Sequence, residues 1–390
     1  MRLLTLTNLY PPQHLGGFGM CVERLVHGLD GMGYETHVLT SDQPYLGRDG
    51  DNPRVIRTLE LLGSYENGIS RLNNAEEEER RRADNREKLD QMLEALQPQA
   101  CLVGNLDLLG TALLHQVCAR GIATIQHVGF MAAPYPPQDF PRTSNYRMAF
   151  ASREVQRLLL AHGWPVTDHP VVHPPLDPST GLHSPIRVVT PSGPLRIGYS
   201  GLVMHSKGVH TLLEACVLLR QWGIPFQVEL AGKAFSPDYQ RQLQRYAVEQ
   251  GISPQLNWLG FQQGQAMQAF YDRLDVLVFP SIHPESFGMV VAEAMAQGVV
   301  PISTGVGGAF EVFTHGVDGL LCEPGESLSV ATALRWCHGH RSALAAMGSR
   351  AQRHARRRFS TSQSARVLDH HYQQMLGSGT AVSDTKVMAF

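Results

Sequence analysis

Cysteine is sparse in this chain: six residues in 390, with no C-x-x-C pair among them. That excludes a disulfide framework and a thiolate metal cluster, so Cys21, Cys101, Cys118, Cys216, Cys322 and Cys337 read as reduced, mostly buried thiols. An excess of positive charge is also lacking. A formal net charge of −2 excludes a dedicated nucleic-acid binder, which would carry a basic surplus. No apolar run approaches the roughly 20 residues needed to cross a bilayer. The opening MRLLTLTNLYPP has one arginine and too short an apolar stretch for a secretory signal, so it reads as a first strand. These absences lead to the expectation of a soluble, cytoplasmic protein.

What is present is length, glycine and a repeated grammar. A chain of 390 residues exceeds one ordinary core and suggests two domains of roughly 150–200 residues. Each half opens with a short apolar strand, a glycine-bearing loop and an amphipathic helix. In the first, Leu3–Leu9 leads through Gly16, Gly17 and Gly19 into Cys21–Leu29, with further strands at Tyr34–Thr40, Ala100–Val103 and Ile122–His127. In the second, Leu195–Ser200 leads through Gly201–Gly208 into Val209–Trp222. Strands follow at Phe226–Ala231, Gln255–Leu259, Val276–Phe279 and Val300–Ser303. Strands alternating with helices predict an α/β protein with two parallel sheets. Eight prolines between 164 and 194 exclude helix and central strand there, so the domains are expected to span 1–180 and 181–361. The run EEEERRR at 76–82 pairs Glu76 with Arg80, Glu77 with Arg81 and Glu78 with Arg82 at helical spacing, a solvated helix face. The Gly/Ser-rich segment 377–390 reads as a disordered tail.

Three loops of the second half concentrate chemistry. In PSIHPESFGMVVAEAMAQG, at 280–298, Glu285 and Glu293 bracket the start of a helix that follows a strand. Open α/β sheets bind ligands at the carboxyl ends of their strands, and helix N-termini favour phosphate. Eight helical residues rise about 12 Å, whereas hydrolytic carboxylate pairs sit about 5–9.5 Å apart. The two acids therefore suit distant parts of one long ligand, such as the sugar and ribose of a sugar nucleotide. Lys207, in the loop Gly201–Gly208, suits a diphosphate, although alone it reads more readily as a surface lysine at a helix start. The cluster Thr304-Gly305-Val306-Gly307-Gly308 before Glu311 lets a ligand approach the backbone, or makes a plain turn.

The stretch from Val276 to Gly325, with ESFGMVVAEAMAQG at its centre, resembles the donor-site signature of retaining glycosyltransferase family 4, the glycosyl transferases group 1 of the GT-B fold. The similarity extends over most of the chain: Gly16-Gly17 in the first glycine loop, His127 ending the strand ATIQHV, Ser152, the linker PPLD at 174–177, and Lys207-Gly208. It implies two Rossmann-like domains facing across a cleft, with a last helix (about 362–376) returning to the first domain. It implies a sugar moved from a nucleotide diphosphate sugar, UDP- or GDP-linked, to an acceptor hydroxyl with retention, without metal or other cofactor. The roles implied are specific. Glu285 holds sugar hydroxyls and Glu293 the ribose. Gly201, Ser286 and the backbone of Phe287, Gly288 and Met289 line the donor site. Lys207 neutralises the diphosphate, Gly16 and Gly17 cover it, and His127 sits by the acceptor and the anomeric carbon; without the resemblance, His127 reads as a strand-end histidine bonded to backbone. The acceptor is open: a small molecule, glycan or lipid-linked group, shaped by the loops at 41–75 and 128–146. Leu202 stands where the family usually has an arginine, removing one of two cations on the diphosphate, with His205 the candidate to compensate. An epimerase on the same fold and a weakly catalytic sugar-nucleotide-binding scaffold are the rival readings.

Other signals fail on inspection. Asp49-Gly50-Asp51 is a D-x-D inside a turn sequence. Val22 stands where a dinucleotide fingerprint needs its third glycine, and Leu202 breaks a nucleophile elbow around Ser200. His169, His173, His338 and His340 follow no metal-ligand spacing. The basic run Arg353–Arg358 suggests a solvated helix end or a peripheral contact with an anionic membrane.

Overall fold

A computed structural model of the protein describes residues 1–48, 50, 52–66, 68–177 and 192–380, the last three by backbone alone. The chain divides into two compact units. One is Met1–Pro175 with the segment from Thr361 onward, and the other is Leu176–Ser360. The division falls just before the expected boundary at 180, a residue outside the described ones, as are Asp49 and Asp51 of the D-x-D.

The first unit contains β1 (Arg2–Leu6), α1 (Gly17–Asp30), β2 (Glu35–Ser41), β3 (Val55–Leu59), a small hairpin of β4 (Gly63–Ser64) and β5 (Ser70–Arg71), α2 (Ala75–Leu96), β6 (Ala100–Val103), α3 (Ala112–Ala119), β7 (Ala123–Val128), β8 (Tyr146–Phe150) and α4 (Arg153–Ala161). Its main sheet is wholly parallel, in the order β3-β2-β1-β6-β7-β8. β1, β6 and β7 are almost wholly buried, as strands covered on both faces are, and β6 is continuously apolar while β7 also carries Thr124, Gln126 and His127. β3 and β8 escape the sequence reading because Arg57 and Arg147 interrupt their apolar runs. Arg57 reaches the carbonyls of Tyr10 and Pro11, and Arg147 bonds Gln374. α1 begins at Gly17, four residues earlier than expected, so Gly17 and Gly19 belong to the helix rather than the loop.

The second unit contains β9 (Leu195–Ser200), α5 (Val209–Gln221), β10 (Phe226–Ala231), α6 (Pro237–Glu249), β11 (Leu256–Gly260), α7 (Gly264–Arg273), β12 (Val276–Phe279), α8 (Met289–Ala296), β13 (Val300–Ser303), β14 (Leu320–Leu321), α9 (Ser327–Gly339) and α10 (Arg341–Arg358). Its parallel sheet runs β11-β10-β9-β12-β13-β14. Hairpin aside, this is the order of the first unit, the doubly wound arrangement. In each, the chain reverses its direction of travel beside the first strand: between β1 and β6, and between β9 and β12. That reversal opens the crevice in which such sheets bind ligands.

The last helix, α11 (Thr361–Thr380), packs within the first unit. Ala365, Leu368, Tyr372 and Met375 join the core formed by α1, β1 and β7, and the Tyr372 hydroxyl donates to the Cys101 carbonyl at 2.9 Å. α11 continues four residues beyond 376, so the expected tail is helical over 377–380; residues 381–390 lie outside the described ones. Gly377 and Gly379 each cost about 1 kcal/mol relative to alanine, too little to stop a helix already docked. All six cysteines are free and buried. In α2, Glu77–Arg81 and Glu78–Arg82 pair as expected. The Glu76–Arg80 pair does not form, because Arg80 turns to Glu77, Asp84 and Glu60, a carboxylate outside the helix that the spacing rule cannot see.

Candidate functional site

At the reversal point of the second unit, the loops after β9, β12 and β13 converge. The loop after β9 ends in a 3-10 turn, His205–Lys207, closed by Gly208 at φ 68°. A side chain on Gly208 would meet the Pro280 carbonyl oxygen at 1.9 Å, so glycine there lets the turn press onto the loop after β12. The Ile282 N–H then donates to the Ser206 carbonyl at 2.9 Å, tying the two loops together. The third loop is bound by a short bridge between Glu285 and Gly307. The Glu285 N–H donates to Val306 at 3.1 Å, and the Gly308 N–H donates back to Glu285 at 2.6 Å. Gly307, at φ 70°, has the Glu285 backbone 2.4 Å from where a Cβ would stand.

This packing brings the sequence-predicted residues Lys207 and Glu285 together. Lys207 Nζ lies 2.6 Å from Glu285 Oε1, and both side chains are largely but not wholly shielded. The ammonium also sits 5.8 Å from the centre of the Phe279 ring. Glu285 stands in the loop before α8, and Glu293 is within it, so the two acids flank the helix start rather than share the helix. Gly288, at φ 94°, caps α8 without a side-chain acceptor, leaving the first N–H groups of the helix to other partners. The Phe287 side chain is 1% exposed and edge-on to Phe359 at 5.1 Å, so it packs inward and only its backbone is left to face the loop. Glu293 accepts from the Tyr271 hydroxyl at 3.3 Å; burial and this carboxylate hold the Tyr271 phenol well above its usual range.

Leu202, at the position of the expected arginine, is 45% exposed, and its carbonyl accepts from the Tyr199 hydroxyl at 2.7 Å. The His205 ring stacks on His210 at 4.4 Å, and His210 in turn bonds Tyr239.

In the first unit, Gly16 and Gly17 lie after β1, and a side chain at either would meet nothing within 4 Å. His127, at the end of β7, is 1% exposed. Its Nε2 lies 2.9 Å from the Val172 carbonyl, which can only accept, so Nε2 carries the proton. Nδ1 is buried without a hydrogen-bond partner among the described residues. Burial pushes the imidazole down to about 4, so it is neutral at pH 7. Phe18 of α1 packs between this ring (5.9 Å) and Phe130 (4.9 Å). His169 and His173 bond backbone groups, the Met148 N–H and the Ala151 carbonyl.

The sequence reading missed Ser281, and it named Thr304 only as part of the glycine cluster. The Ser281 hydroxyl lies 2.5 Å from Glu285 Oε1, and Thr304 Oγ1 donates to the Ser281 carbonyl at 2.6 Å. A serine beside a proline after a strand carries no signal of its own. Only the fold shows that it points at the carboxylate.

Residues 186–354 match the family described as Glycosyl transferases group 1. Over 183 residues the chain is 31% identical to a D-inositol 3-phosphate glycosyltransferase of Corynebacterium urealyticum, covering 46% of this chain and 43% of that protein. Over 144 residues it is 29% identical to a glycogen synthase of Mycobacterium tuberculosis, covering 37% and 34%. The matched part thus spans less than half of these relatives' length. Among solved structures, Anabaena HepE in complex with UDP and glucose is similar over 97% of this chain and all of that one, with TM-score 0.70 and 18% identity. A glycosyltransferase from Rickettsia africae matches with TM-score 0.76 over 96% and 98% at 15% identity. These likenesses fix the fold as GT-B.

Proposed function

We propose that the chain, whose residues 186–354 match the Glycosyl transferases group 1 family, transfers a sugar from a nucleotide diphosphate sugar to an acceptor hydroxyl, with retention at the anomeric carbon. The observation that carries this reading is the Lys207–Glu285 pair at 2.6 Å, set beside a helix N-terminus at the reversal point of a doubly wound sheet. Lys207 spends one N–H on Glu285 and has two more for a diphosphate. The first N–H groups of α8 add their dipole, and Glu293 lies within the same helix for the ribose. Gly16 and Gly17 leave room for a diphosphate at the first unit's loop, and His127 borders the acceptor.

The mechanism consistent with these groups is front-face. The departing phosphate takes the acceptor proton while Lys207 and helix N–H groups stabilise its charge, a task that calls for no metal or other cofactor. With leucine at 202, Lys207 carries more of that burden. UDP- and GDP-sugars are the proposed donors. Anabaena HepE was crystallised with UDP and glucose, which favours trying the uridine series first.

The test is incubation of the purified protein with UDP-, GDP- and ADP-sugars, with and without candidate acceptors. Nucleoside diphosphate release that requires acceptor is expected. An altered sugar nucleotide formed without acceptor would instead establish epimerisation, and binding with no turnover a scaffold. Glu285→Ala is expected to abolish turnover yet keep nucleoside diphosphate affinity within a few-fold. Full activity in that variant would remove this acid from the mechanism.

A further inference from the structure

We infer that Ser281 is a positioning residue for sugar transfer, setting which oxygen of Glu285 faces the ligand; this rests on the donor-site reading above. Ser281 is fully buried, and its backbone is fixed from both sides. Thr304 Oγ1 bonds its carbonyl at 2.6 Å, and the next N–H, on Ile282, bonds the Ser206 carbonyl at 2.9 Å. Its hydroxyl has one proton and three acceptors in range: Glu285 Oε1 at 2.5 Å, and the Ser206 and His283 carbonyls at 3.2 Å each. The carboxylate is both nearest and charged, so it takes the proton.

Glu285 Oε1 therefore receives two donors, Ser281 and Lys207, while Oε2 has no protein donor among the described residues. Two donors on one oxygen fix the carboxylate's rotation and leave Oε2 as the acceptor for a sugar hydroxyl. The same oxygen holds Lys207. A serine that never touches the ligand thus orients both the group that meets the sugar and, through it, the cation that meets the diphosphate. Such preorganisation matters most in the transition state.

The test is a double-mutant cycle between Ser281→Ala and Glu285→Gln, read in kcat and in affinity by calorimetry. The probes are UDP-glucose against UDP and GDP-mannose against GDP. In the wild-type background, Ser281→Ala should lower kcat about tenfold or more, the worth of one hydrogen bond to a charged group. It should also narrow the affinity difference between sugar nucleotide and nucleoside diphosphate, with the latter falling no more than a few-fold as the hold on Lys207 loosens. In the Glu285→Gln background the same substitution should cost less than about twofold, because residues acting through one another are not additive. Ser281→Cys, similar in size with a weaker donor, should fall between serine and alanine, and it serves if the alanine variant fails to fold. Equal penalties in both backgrounds, or a wild-type rate in Ser281→Ala, would overturn the role. If the unmutated protein neither binds nor turns over any sugar nucleotide, the functional reading itself falls and Ser281's role with it. That outcome is distinct, because it appears before any variant is made.

Discussion

His127 shows how burial sets the chemistry of a single residue. Its ring is almost wholly enclosed, and burial is the largest cause of its depression to about 4, well below the ordinary histidine value. The imidazole is neutral at pH 7, and its unpaired Nδ1 is itself enclosed. The depression has a consequence for stability whose sign is fixed. In the unfolded chain the imidazole binds a proton below about 6.5, and in the folded protein only below about 4. Between those values the unfolded state holds more protons, so stability is lost as the pH falls through this window. At pH 5 the loss from this residue alone is about 2 kcal/mol. His169 and His371, also depressed to about 4 by burial and Arg147, add to the same slope. His127→Gln should therefore flatten the fall in unfolding free energy between pH 7 and pH 5, measured by urea titration at each pH. An unchanged slope would show that the ring is solvated or shares its proton differently.

At the scale of elements, the two glycine loops make opposite demands. Gly208 is at φ 68° with the Pro280 carbonyl oxygen 1.9 Å from where its Cβ would stand. Gly208→Ala must push the Lys207 turn off the loop carrying Ser281, and losses of several kcal/mol in stability and most of the turnover are expected. Gly17 is the first residue of α1, and a Cβ there meets nothing. Gly17→Ala should leave the fold unharmed or up to about 1 kcal/mol more stable. If Gly17 lies against the diphosphate as proposed, the same variant should raise the donor KM; thermal midpoints and donor kinetics on the two variants separate these cases. An unchanged KM in Gly17→Ala would take the ligand away from this loop.

The motifs were legible from sequence for a related reason. A glycine that must be glycine, a lysine before it and acids at fixed spacing all survive as letters. What the letters did not show were contacts that depend on loops meeting: Ser281 against Glu285, Tyr271 against Glu293, and Thr304 against the Ser281 carbonyl. The strands at 55–59 and 146–150 were hidden because arginines interrupt their apolar runs, and their partners lie far along the chain.

For the molecule as a whole, two doubly wound sheets were readable from the alternation of strands and helices, and each unit has its own core. That the last helix returns to the first unit comes from the family resemblance alone, since no local pattern of strands and helices carries it. α11 inserts Leu368, Tyr372 and Met375 into the core around α1; the Tyr34 hydroxyl donates to Asp369, and the Ser364 hydroxyl donates to the His173 carbonyl. Each buried large side chain contributes about 1.5–3 kcal/mol, so the three together approach the 5–15 kcal/mol that holds a typical domain folded. Removing the chain after Ser360 should therefore destabilise the first unit and leave the second little changed. The tryptophans allow this to be read directly, since Trp164 lies buried in the first unit while Trp222, Trp258 and Trp336 belong to the second. With those three replaced by phenylalanine, Trp164 fluorescence reports the first unit alone. Truncation should lower the Trp164 transition by many degrees. In the complementary protein, Trp164→Phe, the transition seen by the other three should move by only a few degrees. Equal shifts in both would mean that the units unfold as one and that α11 stabilises the whole chain rather than the unit whose core it completes.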